Sequence, residues 1–212
     1  MAIWAAARER GIPLVVVGGF AVRAYLSDPD KRTTRDLDLV VSRSTFLEIR
    51  ALLEERGFRL YDTGSWWRAE RGEDERRRVV DIGIDGVVDS ASFESYPLAI
   101  AETRQVALPG GPVLQVPALE DLLALKLLAH RDKDILDVIA LLRDAGDNVD
   151  AVRFRQQVER RDLEVPIRRG YLAVVASAES GQLAKLWSDR FGEEFPPLTL
   201  ADVLRRLHTL FP

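Results

Sequence analysis

The segment Thr34-Arg35-Asp36-Leu37-Asp38-Leu39-Val40-Val41 sets two carboxylates two positions apart in an otherwise apolar run. In an extended strand successive side chains point to opposite faces, so Asp36 and Asp38 project together while Leu37, Leu39 and Val41 take the other face. Two carboxylates about 4 Å apart repel by roughly 1 kcal/mol in water and roughly 4 at an effective dielectric of 20. A divalent cation removes that cost, and Mg²⁺ is the expected one. The same parity recurs in Val79-Val80-Asp81-Ile82-Gly83-Ile84, where Val80, Ile82 and Ile84 share one face and Asp81 takes the other. If the two strands are neighbours, Asp36, Asp38 and Asp81 converge. The plainer alternative is that each carboxylate marks the solvent face of a half-buried strand.

Upstream, Val15-Val16-Val17 runs into Gly18-Gly19 and then into the helical-looking Phe20 to Leu26. Strand, tight turn and helix N-terminus follow one another there. Glycine lets a backbone approach an anion closely, and the free amides and dipole at a helix start favour phosphate. A phosphate-binding turn and a metal site would therefore come from adjacent segments. Neither the Gly-x-Gly-x-x-Gly spacing of dinucleotide-binding folds nor the Walker Gly-Lys-Ser/Thr is present.

These residues need a scaffold, and the hydrophobic pattern supplies one. A helix over 2–10 stops at Gly11, strands cover 14–17 and 36–41, and Ser44 or Thr45 caps a helix carrying Phe46, Ile49, Leu52 and Leu53, ended by Gly57. Extended structure resumes at 58–61. Segments 65–69 and 76–84 form a hairpin across the polar stretch 70–75. A second hairpin, 105–108 with 113–116 around Pro109-Gly110-Gly111-Pro112, is expected near the edge of the sheet. A helix over 119–129, apolar nearly all round and interrupted by Lys126, is expected to be buried. The next, over 133–143, presents Ile135, Val138, Ile139 and Leu142 to a core and ends at Gly146. Leu183, Leu186 and Trp187, then Val203, Leu204, Leu207 and Leu210, read as helix-packing faces. The expected division is an α/β unit over 1–116 and a mostly helical portion over 117–212.

With 212 residues and 47% apolar content the chain can bury a sizeable core. It lacks a run of about 18 apolar residues that could cross a bilayer, and residues 1–10 lack the charged start and apolar core of a signal peptide. The absence of cysteine excludes disulfides and thiolate zinc sites and fits a cytoplasmic setting. Two histidines, His130 and His208, make a histidine-rich metal site unlikely to arise. A net charge of −4 argues against a protein that coats nucleic acid non-specifically and leaves room for a local basic surface.

The ordered set Gly18-Gly19, Thr34-Arg35-Asp36-Leu37-Asp38-Leu39, Val80-Asp81, Pro117 to Lys126 and Arg131-Asp132-Lys133-Asp134-Ile135-Leu136-Asp137 resembles the nucleotidyltransferases of the DNA polymerase β superfamily. Within them it is similar to the minimal nucleotidyltransferase and AbiEii-type toxin branches, and more distantly to aminoglycoside nucleotidyltransferases. Gly19 stands where members often carry serine. The resemblance covers residues 12–145 and implies an α/β (α+β) mixed sheet with flanking helices, followed by a mostly helical C-terminal portion. It implies that Gly18 and Gly19 hold a nucleoside triphosphate (NTP) such as ATP, and that Asp36 and Asp38 bind two Mg²⁺ ions, with Mn²⁺ as a substitute. Asp81 would complete the metal site and help activate the attacking hydroxyl. Lys126 would pair with the phosphates from the helical portion, Asp134 would support it or face the substrate, and Arg35 would add a phosphate contact. The implied reaction moves a nucleoside monophosphate from an NTP to an acceptor hydroxyl.

The expected acceptor is an RNA end such as that of tRNA, or another polyanion, ahead of a small molecule such as an antibiotic, with a protein side chain in a toxin–antitoxin pair as a further alternative. A different class of function is a binding module, an antitoxin subunit clasping its partner, and loss of a metal carboxylate would mark it; all three are present. An RNA acceptor requires a positive track. The candidate is the run Arg153, Arg155, Arg160, Arg161, Arg168 and Arg169 against Glu159, Asp162 and Glu164, extended by Arg68, Arg71 and Arg76 to Arg78. A solvated helix face is the alternative reading of the run. Lys126 is one of only four lysines beside 26 arginines, and its alternative reading is a lysine whose stem packs on the core. Trp66-Trp67 reads as core and edge packing ahead of base stacking.

Overall fold

In the computed structural model every residue is described except Met1, Pro109, Glu193, Pro196 and Pro212, along with the side chains of Lys31, Pro197 and Leu198. The chain divides into two units, one of Met1–Ala24 with Arg32–Ala118, the other of Tyr25–Lys31 with Leu119–Pro212.

The first unit is built on a five-stranded mixed sheet. Its strands are β1 (Val15–Val17), β2 (Leu37–Val41), β3 (Arg59–Asp62), β4 (Trp67–Arg71) and β5 (Arg78–Ile84), in spatial order β1-β2-β5-β4-β3. β2 and β5 run parallel; every other neighbouring pair is antiparallel. The apolar parity of the sequence becomes one buried face: Leu37 and Leu39, Val80 and Ile82, and Ala69 are all buried. Helices α1 (Ala2–Glu9) and α3 (Phe46–Glu55) pack on each other, and α2 (Gly18–Tyr25) follows β1 directly. Thr45 occupies the N-cap position of α3 without the expected side-chain cap; its hydroxyl bonds the Ser42 carbonyl at 3.1 Å instead.

The β4–β5 hairpin forms as expected. The later hairpin, β8 (Arg104–Ala107) with β9 (Val113–Val116), also forms, but as a separate two-stranded sheet with β9 against β1, not as an edge of the main one. Pro109 of its expected turn lies outside the described residues. A further short pair, β6 (Gly86–Val88) with β7 (Ser95–Pro97), is one the hydrophobic pattern did not predict. Trp67 packs on Phe46 with ring centroids 5.0 Å apart, and the Trp66 indole donates to the Val88 carbonyl at 2.8 Å. Both tryptophans are packing residues.

The second unit is helical: α4 (Leu119–Ala129), α5 (Asp132–Ala145), α6 (Ala151–Arg160), α7 (Glu164–Glu179), α8 (Gln182–Phe191) and α9 (Pro197–Leu210). α4 is enclosed by α5, α6 and α7, which explains its nearly all-apolar surface. Leu183, Trp187, Val203, Leu207 and Leu210 are buried as the amphipathic pattern requires. The Tyr25–Lys31 segment joins this unit through Ser27, whose amide and hydroxyl donate to Asp144 at 3.0 and 2.8 Å. Among the described residues no helix is long and apolar enough to cross a membrane.

Candidate active site

Residues in register on neighbouring strands share a face, and one transverse row crosses the whole main sheet: Val17, Asp38, Asp81, Arg68 and Tyr61, from β1 through β2, β5 and β4 to β3. Sequence parity predicted that Asp38 and Asp81 would come together, and the parallel β2–β5 pairing aligns them directly. Asp36 precedes the first residue of β2 and is exposed. The expected closure of all three carboxylates into one cluster is not seen: among the described residues no three acidic, histidine or cysteine side chains are gathered to hold an ion.

Part of the reason is Arg68. Its Nε and Nη2 donate to Oδ1 and Oδ2 of Asp81 at 2.7 and 2.8 Å, a bidentate fork that satisfies both carboxylate oxygens. The hydrogen-bonded carboxylate holds the Arg68 guanidinium even more firmly protonated than usual. The sequence reading placed Arg68 on a basic track leading to the carboxylates, as an RNA contact and not as a partner of Asp81. The missed signal was strand parity, since Trp67 and Ala69 flank it and turn to the opposite face. One step further along β4, Glu70 accepts from the Tyr61 hydroxyl and from Arg77.

The glycine pair is explained by close approach. Gly18 has φ +62°, and a Cβ there would lie 1.8 Å from Oδ2 of Asp38. A Cβ on Gly19 would lie 2.8 Å from the Thr34 hydroxyl. The start of α2 is thus seated against the segment that carries Asp36 and Asp38, where amide groups and helix dipole favour negative charge. A divalent cation suits these donors in kind, because they are all carboxylate oxygens and a side chain at Gly18 would fill the space the Asp38 carboxylate uses. Arg35 is exposed beside them.

In the second unit Lys126 is buried, with Nζ 3.0 Å from Asp134 and 2.8 Å from Asp137. Arg131 meets the other oxygen of Asp134 at 2.6 Å. Burial alone would lower the Lys126 pKa, but Asp137 and Asp134 outweigh it and hold the ammonium above its ordinary value. Burial would likewise raise that of Asp134, and Lys126 and Arg131 together bring it below the usual carboxylate range. Lys126 is therefore more than a packed stem: it is a charged centre with two carboxylate partners. Asp137 is the member of this group that the sequence reading did not single out as a site residue, although it follows Asp134 by three positions on α5.

The C-terminal arginine run is less available than its local charge suggests. Arg161 reaches Asp121 at 3.4 Å and Arg153 reaches Glu120 at 3.6 Å, both carboxylates being buried at the start of α4. Arg155 donates to the Thr209 carbonyl and Arg160 to Gln157.

Residues 2–176 match a family model described as uncharacterised nucleotidyltransferase. Two solved structures of ANT(2'')-Ia are similar to the chain at 19% identity and a TM-score of 0.45. One is a solution structure of that antibiotic-resistance factor, the other a crystal structure with adenylyl-2''-tobramycin; the similarity covers 88% of this chain and 86% and 91% of theirs. No curated protein matches the chain. Because the family model spans most of the sequence, the chain belongs to this family of nucleotidyltransferases.

Proposed function

We propose that the protein transfers a nucleoside monophosphate from an NTP to an acceptor hydroxyl in a reaction that depends on divalent cations. The register match of Asp38 with Asp81 across the parallel strands, beside the glycine turn, carries this reading. Asp36, Asp38 and Asp81 would hold two Mg²⁺ ions, whose chemistry is to neutralise charge on the entering oxygen and the departing pyrophosphate. The amides at Gly18 and Gly19 orient the triphosphate, and Arg35 adds a charged contact. Asp81 takes the proton of the acceptor hydroxyl as its oxygen attacks. A bond forms between that oxygen and the α-phosphorus as the bond from the α-phosphorus to the pyrophosphate oxygen breaks. In the helical unit Lys126 keeps its charge between Asp134 and Asp137.

A small molecule is the acceptor we favour. Arg161 is buried against Asp121 and Arg155 bonds the Thr209 carbonyl, which thins the positive run that an RNA track would need. The test is incubation of each α-labelled NTP with Mg²⁺ and cell extract. Label in small molecules supports the reading. Label on tRNA or on protein would instead place the chain in the AbiEii-like toxin–antitoxin branch, and absence of label from every fraction would overturn nucleotidyl transfer.

A further inference from the structure

Three cationic and anionic groups continue the polar face beyond Asp81: Arg68, then Glu70, then Arg77, with the Tyr61 hydroxyl also on Glu70. Arg68 and Glu70 are two residues apart on β4 and so share its face. The guanidinium is forked onto Asp81, and Glu70 adds negative charge on the same face of the strand. A surface arginine that only balanced charge would not need both oxygens of a part-buried carboxylate aligned across a strand pair.

We propose that Arg68 is the resident counter-cation and positioning residue of Asp81, and that a divalent cation entering the site exchanges with Arg68 for the Asp81 carboxylate, Arg68 turning to Glu70. This inference rests on the nucleotidyl-transfer reading above. In the absence of the ion, Arg68 holds Asp81 in one rotamer and suppresses repulsion between Asp81 and Asp38 on the adjoining strand. The cost is competition: one carboxylate serves two cations, so the affinity of the site for the ion is set below what its oxygens alone would give. Glu70 limits that cost by receiving the displaced guanidinium, and Tyr61 and Arg77 hold Glu70 in place.

The test is binding of Mn²⁺ alone, followed through the free-ion electron paramagnetic resonance signal, with the full chain and without nucleotide. Arg68→Gln should bind Mn²⁺ about tenfold more tightly, the size expected when one elementary charge a few ångström from a divalent ion is removed in a half-solvated site. Arg68→Lys, a point charge that cannot fork, should fall between. Glu70→Gln should weaken Mn²⁺ binding severalfold, but should have no effect in the Arg68→Gln background, because the two residues act through one exchange. The Mg²⁺ concentration for half-maximal transfer should fall in both Arg68 variants together with the turnover at saturating Mg²⁺. Unchanged or weaker Mn²⁺ binding in folded Arg68→Gln, or additive effects of the two substitutions, would overturn the exchange. Should Arg68→Gln fail to fold, Arg68→Lys decides, and wild-type Mn²⁺ affinity in it would be the overturning result. Wild-type binding with unaltered variants defeats this inference alone; no binding by any of them defeats the nucleotidyl-transfer reading as well.

Discussion

The first side-chain carbon of any residue replacing Gly18 would lie 1.8 Å from Oδ2 of Asp38. The backbone at Gly18 has φ +62°, so a substitution there meets both strain and a clash. Gly18→Ala should cost about 1–3 kcal/mol. Adding Asp38→Gly removes the clash and should recover the part above about 1 kcal/mol, leaving the backbone cost. Urea unfolding of the single and double variants measures both parts, and equal stability of the two would separate Gly18 from Asp38.

Asp36→Asn or Asp38→Asn should abolish transfer while the fold survives. Removing the Asp38 charge beside Asp81 leaves the metal-free protein about as stable, and removing that of the exposed Asp36 changes it by no more than about 0.5 kcal/mol. Melting with and without Mg²⁺ and nucleotide should show a ligand-dependent rise in the wild type that both variants lose. Unfolding of both variants would refute the metal-site assignment.

Lys126→Met keeps the apolar stem and removes the charge beside two buried carboxylates. The expected cost is about 3–5 kcal/mol, because Asp134 and Asp137 would remain in the interior without the ammonium. The pH dependence follows from the two directions. The Asp134 contribution is present above the ordinary carboxylate value of 3.8 and is lost as the pH falls through its lowered value. The Lys126 contribution is present below the ordinary 10.5 and is lost as the pH rises through its raised value. Between those limits wild-type stability should be flat with respect to this pair, and the acid loss should be smaller in Lys126→Met. A variant that melts like wild type from neutral pH down to about pH 3 would remove the ion pair from the stability of the chain.

Arg160 and Arg161 are adjacent in sequence and opposite in consequence. The Arg161 side chain is 5% exposed and reaches the fully buried Asp121, whereas the exposed Arg160 bonds Gln157, which Arg161 also bonds. Arg161→Ala should destabilise by about 2–4 kcal/mol, and Arg160→Ala by no more than about 0.5. Similar small effects of both on thermal unfolding would restore the solvated-face reading of the run.

The contrast between those two arginines shows what sequence can and cannot carry. Strand parity is local, so the faces of Asp38 and Asp81 followed from their apolar neighbours, and β2 with β5 then brought them into register. The helix over 119–129 was equally legible, because an apolar run of that length exceeds a buried strand. What parity does not encode is the partner. Arg68 read as one of several basic residues until β4 paired with β5 and put it opposite Asp81. Glu120 and Asp121 read as acidic residues in the first turn of a helix, where they are common. Only the packing of α6 on α4 turns them into buried partners of Arg153 and Arg161. Charge counted along a run says nothing about which of its members face inward.

The parallel pairing of β2 with β5 also has a kinetic meaning. The strands that carry Asp38 and Asp81 are separated in the chain by α3 and by β3 and β4, so their alignment requires closure of a long loop, while β4 and β5 can zip locally as a hairpin. During refolding the Arg68–Asp81 fork therefore has the means to form before Asp38 arrives. A partly folded chain would then hold a neutralised Asp81 and no paired carboxylates, which leaves it without a place to capture a divalent ion. Competence to bind the ion then waits on the long-range closure of β2 on β5.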